Sequence, residues 1–597
     1  MSEPALDDSQ LAAVDIPAKT RQIVIAGPGS GKTEVVSALL GHLVDDEDVD
    51  PIDGILVISF SNAAVHAIRR RFLMHIGRQP VGVQTLDSLA GEVLRDLSTE
   101  DYERLTFDGR IALATRLLAE EGWGRTGDLE HLVVDEVQDV VGVRADFLLA
   151  IIGRLPTEAG FTLLGDPAQG IYDFQLRPNR HGQRPRSSTT SPELVNSVAA
   201  LSGTEIRHLT GQYRAASRET RAAAMLREAV LPGGDPTLLE DFHAAVVPAG
   251  TVEDVVEHSG RWQGTTAFLT ATNGQALLVA GALRTRTAVE VHRGAQQRVI
   301  GAWMARLFGD DSAVTIARRE LDALVAERCP ELDPAMLWRV LREVQVGKGT
   351  EIDLWRLAQR LRGPRPLPPE MIDHPATPYV VSTVHRAKGL EFDNVVLVDF
   401  PEHGWLEDSA EPEERLRALF VSLTRARQLI ARADGPDDKF VRRLHKPGLH
   451  AERWYLGGPK QWMTFGFEIG VADTVPALDS ARAQAHLTAE VSIGDSLDLR
   501  LDRLRSTLSV PVYTVLHDGV PVAQTSSRFG EDLASRIGSL TDRKASWPTL
   551  RGARVESVAT VIVDSHHPGS AGRPRFRLIP VITGLLHIDW KESTPDD

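Results

Sequence analysis

Ile23-Val24-Ile25-Ala26-Gly27-Pro28-Gly29-Ser30-Gly31-Lys32-Thr33 decides the reading of this chain. A β-branched run stops at a glycine-rich loop. Thr33 then opens the helical pattern Glu34-Val35-Val36-Ser37-Ala38-Leu39-Leu40. Glycines let backbone N–H groups turn inward around a polyphosphate, and the helix N-terminus adds partial positive charge at the same point. Lys32 suits the outer phosphates and the Thr33 hydroxyl suits Mg²⁺. The usual pattern begins with Gly, and here Ala26 holds that place. A chance glycine-rich turn could share some of these letters, but the strand before and the helix after argue against it. The nucleotide candidates are therefore Ala26, Gly27, Pro28, Gly29, Ser30, Gly31, Lys32 and Thr33.

Further runs of the same kind follow. Residues 54–60, 81–86, 132–136 and 160–166 read as buried strands, and 63–72 reads as a helix carrying Arg69, Arg70 and Arg71. Strands alternating with helices imply a parallel sheet whose ligands sit at the strand C-terminal ends. The polar clusters lie at those ends. Asp135-Glu136 closes one strand: Asp135 is the candidate Mg²⁺ ligand, and Glu136 the group that orients or deprotonates an attacking water. Gln10, on a short N-terminal helix capped by Asp8 or Ser9, carries an amide able to read a purine edge.

Bulk composition narrows the class. A chain of 597 residues with 42% hydrophobic content is long enough for several folded domains. The single cysteine, Cys329, rules out a disulfide within the chain and fits a reducing cytosol. No run approaches the ~20 apolar residues of a membrane span, and no secretory leader is evident, so the expected location is cytoplasmic with no membrane partner. The net charge of −16 excludes a protein coated in positive charge, though a nucleic-acid groove needs only a local basic lining.

The ordered motifs resemble superfamily 1 DNA helicases of the UvrD/Rep/PcrA group. The resemblance rests on 26–33, Ile58-Ser59-Phe60-Ser61-Asn62, Val134-Asp135-Glu136-Val137-Gln138-Asp139, Gly165-Asp166-Pro167-Ala168-Gln169-Gly170-Ile171-Tyr172 and Gln212-Tyr213-Arg214. It continues through Ser382-Thr383-Val384-His385-Arg386-Ala387-Lys388-Gly389-Leu390-Glu391-Phe392 and Phe420-Val421-Ser422-Leu423-Thr424-Arg425-Ala426. Gln10 falls where the family reads adenine, and matches cover most of residues 6–430.

The resemblance implies an α/β fold with two RecA-like parallel-sheet domains and ATP in the cleft between them. Lys32, Thr33, Asp135, Glu136 and Gln169 would come from the first domain, and Arg425 from the second. Arg214, near the junction, and Arg425 would act as arginine fingers. Tyr213 would stack on adenine, Glu391 would bond the ribose, and Gln169 would couple the γ-phosphate to DNA. Single-stranded DNA would cross both domains, with Phe60, Tyr172, Phe174 and His385 stacking on bases and Asn62 and Thr85 bonding phosphates. The expected partners are single-stranded DNA and single-strand/duplex junctions, with ATP and Mg²⁺ as cofactors. Two positions depart from the family. Asp173-Phe174-Gln175 stands where Trp-Arg is usual, and Asp87 where His is common.

The domain reading places the first RecA-like domain at 1–90 and 131–230, with a short helical insertion at 91–130. The second occupies 231–284 and 378–444, with a helical insertion at 285–377. Both insertions look reduced against the family. Residues 175–191 read as a polar loop with Arg177, Arg180, Arg184 and Arg186. Residues 445–597 read as a separate β-rich accessory domain for a protein or nucleic-acid partner, with a hairpin at His517-Asp518-Gly519. The functional expectation is a 3′-to-5′ DNA translocase or helicase in repair, recombination or defence. The competing reading is an ATP-gated DNA sensor that recruits a separate nuclease. Asp589-Trp590-Lys591 with upstream Asp564 loosely fits a nuclease ending, and His566-His567 a metal pair. Neither has the surrounding pattern such sites need.

Overall fold

The computed structural model describes residues 6–60, 82–178, 184–292, 299–309, 314–345, 350–363, 367–372, 377–402, 411–446, 448–476, 481–538, 546–564 and 574–590. The expected helix 63–72, Asn62, Arg180, His566, His567 and Lys591 lie outside them. The chain forms two compact units. One comprises Met1–Val247, Ala387–Leu397 and Asp408–Ala431; the other comprises Pro248–Arg386, Val398–Glu407 and Arg432–Asp597.

The first unit is built on a six-stranded parallel sheet of β1 (Arg21–Ala26), β2 (Ile55–Ser59), β3 (Gly82–Gln84), β4 (His131–Asp135), β5 (Gly160–Gly165) and β6 (Thr204–Leu209). Their order is β3-β2-β4-β5-β1-β6. β2, β4 and β5 are buried along their whole length, as runs rich in Ile, Leu and Val should be in a doubly covered sheet. β3 is shorter than the expected 81–86 because Thr85 caps the helix Leu86–Leu97. That helix and Phe107–Glu121 bury Leu89, Val93, Ile111 and Leu118 in the core that also holds Leu132 and Phe161. The short insertion is thus part of the domain core.

A second six-stranded sheet contains β7 (Pro248–Thr251), β8 (Thr266–Thr270), β9 (Glu290–Val291), β13 (Tyr379–Thr383), β14 (Phe392–Asp399) and β15 (Ala426–Asp434), in the order β7-β15-β14-β8-β13-β9. β13 pairs in parallel with β8 and β9. Three two-residue strands, β10 (Ile300–Gly301), β11 (Thr315–Ile316) and β12 (Ile352–Asp353), lie among the helices Trp303–Phe308, Arg318–Arg328, Pro334–Gln345 and Leu354–Arg362.

The C-terminal part contributes β16 (Val441–Leu444), β17 (Arg453–Gly457), β18 (Thr464–Ile469), β19 (Thr474–Pro476), β20 (Ser496–Leu501), β21 (Tyr513–His517), β22 (Val520–Thr525), β23 (Thr549–Asp564), β24 (Pro574–Ile582) and β25 (Gly584–Asp589). They form an antiparallel sheet in the order β16-β17-β18-β25-β23-β20-β21-β22-β19, and β10 and β24 also pair with β23. Asp518 and Gly519 both have positive φ, 48° and 76°, as the Asp-Gly turn of the β21–β22 hairpin requires. One apolar core takes residues from 300–371 and from 455–588, including Phe308 against Phe576 at 5.8 Å. The segments read from sequence as an insertion and a separate module therefore share a core. This follows from β10 pairing with β23 through Ile300 and Thr560. Asp589, from the loose nuclease match, lies near Arg551, and no metal-ligand cluster occurs among the described residues.

His131 opens β4 fully buried. Its Nδ1 lies 2.6 Å from the Ala18 carbonyl, and its Nε2 lies 2.9 Å from Thr162 Oγ1. A neutral ring satisfies both, with Nδ1–H donating and Nε2 accepting the hydroxyl proton. Burial lowers its pKa from 6.5 to about 4. The folded state thus favours the neutral ring, and this stability is present above pH 6.5 and lost as pH falls through about 4. Urea midpoints measured against pH should show a loss on the order of 3 kcal/mol across that window. His131→Gln should flatten that slope.

Candidate active site

The loop after β1 is shaped by two glycines in the left-handed region, Gly29 at φ 78° and Gly31 at φ 83°. A Cβ on Gly29 would lie 2.2 Å from Gln212 Oε1, and one on Gly31 would lie 2.5 Å from Gln10 Nε2. Only glycine meets both demands. Gly31 begins the helix Lys32–Asp45, and no side chain caps that end. The loop is braced from outside. Gln10 Nε2 donates to the Ser30 carbonyl at 3.0 Å, Gln212 Nε2 donates to that of Pro28 at 2.7 Å, and the Tyr213 N–H donates to that of Gly29 at 2.8 Å. Ala26 is the last residue of β1 and is buried.

Lys32 Nζ lies 3.1 Å from Glu136 Oε2. Glu136 follows β4 with φ 58°, a strained setting for a non-glycine residue that commonly marks functional sites. Burial opposes its charge, but Lys32 and Lys388 hold its carboxyl at about 2. Asp135 beside it is pushed up by burial and by the Glu136 charge. Gln138 also donates to Glu136.

A cavity of about 570 Å³ opens over the loop, lined among others by Gln10, Lys32, Thr33, Glu136, Gln169, Tyr213, Arg214, Glu391 and Arg425. All these residues lie in one compact unit, because Ala387–Leu397 and Asp408–Ala431 pack with the phosphate-loop sheet. Arg425 is buried. Its Nη2 donates to Gln169 Oε1 at 3.1 Å and its Nε to the Val421 carbonyl at 2.9 Å. Burial and the nearby Arg214 charge bring it to about 9, still cationic at neutral pH. Gln169 in turn donates to Asp166 at 2.8 Å, and Asp166 also accepts from Arg227 Nε at 2.9 Å. Arg214 Nε donates to Glu391 Oε1 at 2.9 Å, and Arg427 Nη2 to Glu391 Oε2 at 2.7 Å. Against a partial desolvation, these two guanidiniums hold Glu391 at about 2. The Tyr213 ring lies against the loop, with its hydroxyl donating to Asp7.

The residues suit a magnesium nucleotide. Thr33 and Asp135 offer hard oxygen donors beside an ammonium, a set that fits a cation shared with phosphate rather than an all-protein cage. The volume lies within the ~300–1,000 Å³ usual for small-molecule sites.

Three aromatic rings form a row in the same unit. Phe60 and Tyr172 have centroids 4.6 Å apart, and Tyr172 and Phe174 5.9 Å. Phe174 is 43% exposed, enough to offer a face. Lys388 joins this row to the cavity. Its Nζ lies 5.5 Å from the Tyr172 centroid and donates to Asp139 and to the Gln169 carbonyl. Sequence reasoning gave Lys388 and Asp139 no role. The acidic residue three positions after Glu136 was the available signal. Thr85 caps its helix through Ser88, and Asp87 is clamped by Arg144 at 2.7 and 3.0 Å. His385 lies on the helix Val384–Ala387, in the other unit from the row.

Two family models match the chain in order. The AAA domain model covers residues 10–175, and the UvrD-like helicase C-terminal domain model covers 378–431. These segments carry most of the cavity's polar residues. In these segments the chain is similar to UvrD-like helicases. A probable DNA helicase II homolog of Mycoplasma capricolum is 35% identical to it over 96 residues, 15% of this chain and 12% of that protein. The ATP-dependent DNA helicase PcrA of Staphylococcus aureus is 33% identical over 75 residues, 12% of this chain and 10% of that protein. The chain thus spans about a tenth of the length of these curated relatives. The crystal structure of Pif1 helicase from Candida albicans covers 72% of the chain and 95% of its own, at 13% identity and a TM-score of 0.36, too low to bear on the fold. Tyr213 and Arg214 lie between the two matched segments. No helix among the described residues is long and apolar enough to cross a membrane.

Proposed function

We propose that this chain is an ATP- and Mg²⁺-dependent translocase or helicase that moves 3′ to 5′ on single-stranded DNA, in repair, recombination or defence. The carrying observation is the continuous polar path from Arg425 through Gln169 to Lys388 and the Tyr172 ring. Such a path supports coupling between a γ-phosphate and a stacked base, because each member has a partner it can exchange.

In this reading Lys32 and the loop N–H groups hold the phosphates. Thr33 and Asp135 would hold Mg²⁺, which would supply charge neutralisation at the phosphates. Glu136 orients the attacking water. Held at about 2, its carboxylate is a weak base, so orientation outweighs deprotonation until Lys32 turns to phosphate and releases it. Arg425 and Arg214 stabilise charge on the transferring phosphoryl group. Gln10 and Tyr213 face the base, and Glu391 offers the ribose the lone pairs left by its two arginines. Phe60, Tyr172 and Phe174 stack DNA bases.

One observation favours a second reading, an ATP-gated DNA sensor that unwinds little alone. The helices at 86–121 are absorbed into the domain core and leave no separate duplex-handling domain there. Strand displacement decides between them. Duplexes with a 3′ tail should be unwound by wild type and those with a 5′ tail should not. Hydrolysis without displacement would favour the sensor, and displacement of only 5′-tailed duplexes would reverse the polarity.

A further inference from the structure

We propose that the end of the C-terminal sheet formed by β16, β17 and β18 is a second binding surface for single-stranded nucleic acid. Its ligand class rests on the reading of the chain as a DNA-acting ATPase.

The β17–β18 connection displays Trp462 at 72% exposure, and Phe465 opens onto the same end at 47%. Large aromatic surface in water is costly, and here it is held outward rather than frayed. Arg536 Nη2 donates to the carbonyls of Gln461 and Met463 at 2.8 and 3.0 Å, while its guanidinium stacks 4.2 Å from the Tyr455 centroid. A Cβ on Gly458 would lie 2.8 Å from the Phe465 ring, so glycine there lets that ring lie against the backbone. The Gly457 N–H donates to the Phe440 carbonyl at 2.9 Å and brings a third ring to the same end.

Cations accompany two of these three rings. Lys460 Nζ lies 5.7 Å from the Trp462 centroid, and Arg442 and Lys439 lie 6.0 and 5.9 Å from that of Phe440. Among the described residues, neither Lys460 nor Arg442 forms an ion pair, in a chain whose net charge is −16. Exposed rings with adjacent cations are the combination that stacks bases while neutralising phosphates. A peptide partner would be better served by a groove than by displayed rings.

The test uses the full chain without nucleotide. Binding of labelled oligo(dT) is measured by anisotropy across a salt series, with polyglutamate as competitor, and an oligonucleotide carrying 5-iodouracil is photocrosslinked. Trp462→Ala should weaken oligo(dT) binding roughly tenfold. Lys460→Gln should lower the salt slope by about 0.7. Crosslinks should map to Trp462 or Phe465. Unchanged affinity and slope, with no crosslink there, would overturn the proposal. So would polyglutamate competing as well as oligo(dT) while Trp462→Ala binds normally, which would mark an acidic protein as the partner. Wild-type ATPase stimulation by DNA is read separately. If stimulation fails while Trp462-dependent binding persists, the helicase reading falls and this surface stands.

Discussion

Lys32→Ala should lower ATP hydrolysis by about 10³-fold or more, measured as phosphate release at saturating ATP and Mg²⁺. Two effects combine. The ammonium is ion-paired with Glu136, and Asp135 and Asp166 also feel its charge. Its removal takes away a preorganised charge at the outer phosphates, of the kind that contributes about 10²–10³ in rate. It also leaves buried carboxylates short of a counter-charge, which raises their proton affinity. ATP binding should weaken in the same variant, because the ground state shares the contact. Circular dichroism and a thermal melt separate this from unfolding. A variant within tenfold of wild type would remove Lys32 from the chemistry.

Arg425→Lys should cut kcat by about 10³-fold while nucleotide affinity changes less than tenfold. A guanidinium placed against a transferring phosphoryl group contributes on the order of 10³–10⁵. Lys keeps the charge but loses the planar fork, and with it the simultaneous bonds to Gln169 and the Val421 carbonyl. The split between kcat and affinity distinguishes an arginine finger from a binding residue. Because Arg425 is buried, Arg425→Ala would also leave a void and the Gln169 Oε1 without this donor, so Lys is the more informative change. Equal loss in affinity and turnover would make Arg425 a ground-state contact.

The core was legible because local signals agree there. The strand, glycine loop and Lys-Thr step are contiguous, and one backbone geometry satisfies them all. Asp135-Glu136 stood at a strand end for the same reason. The Lys388–Asp139 bond was hidden because it joins residues 249 apart, and no spacing rule predicts such a pair. The left-handed backbone of Glu136 was equally invisible, since nothing in the letters demands it. In the C-terminal half, the Asp518-Gly519 hairpin announced itself through turn chemistry. The shared core of 300–371 with 455–588 did not, because it depends on long-range pairing of a two-residue strand with β23. Thr85 was read from a family motif as a phosphate contact, and the letters did not announce that its hydroxyl also caps a helix.

The central claim is that nucleotide chemistry in this cavity answers to single-stranded DNA. Steady-state ATP hydrolysis, measured with and without a long oligo(dT), tests it most directly. Hydrolysis should be slow alone and rise at least tenfold with DNA. The rise should be abolished by Lys32→Ala and reduced by Tyr172→Ala. Hydrolysis indifferent to DNA, or no hydrolysis by the wild-type chain, would contradict it.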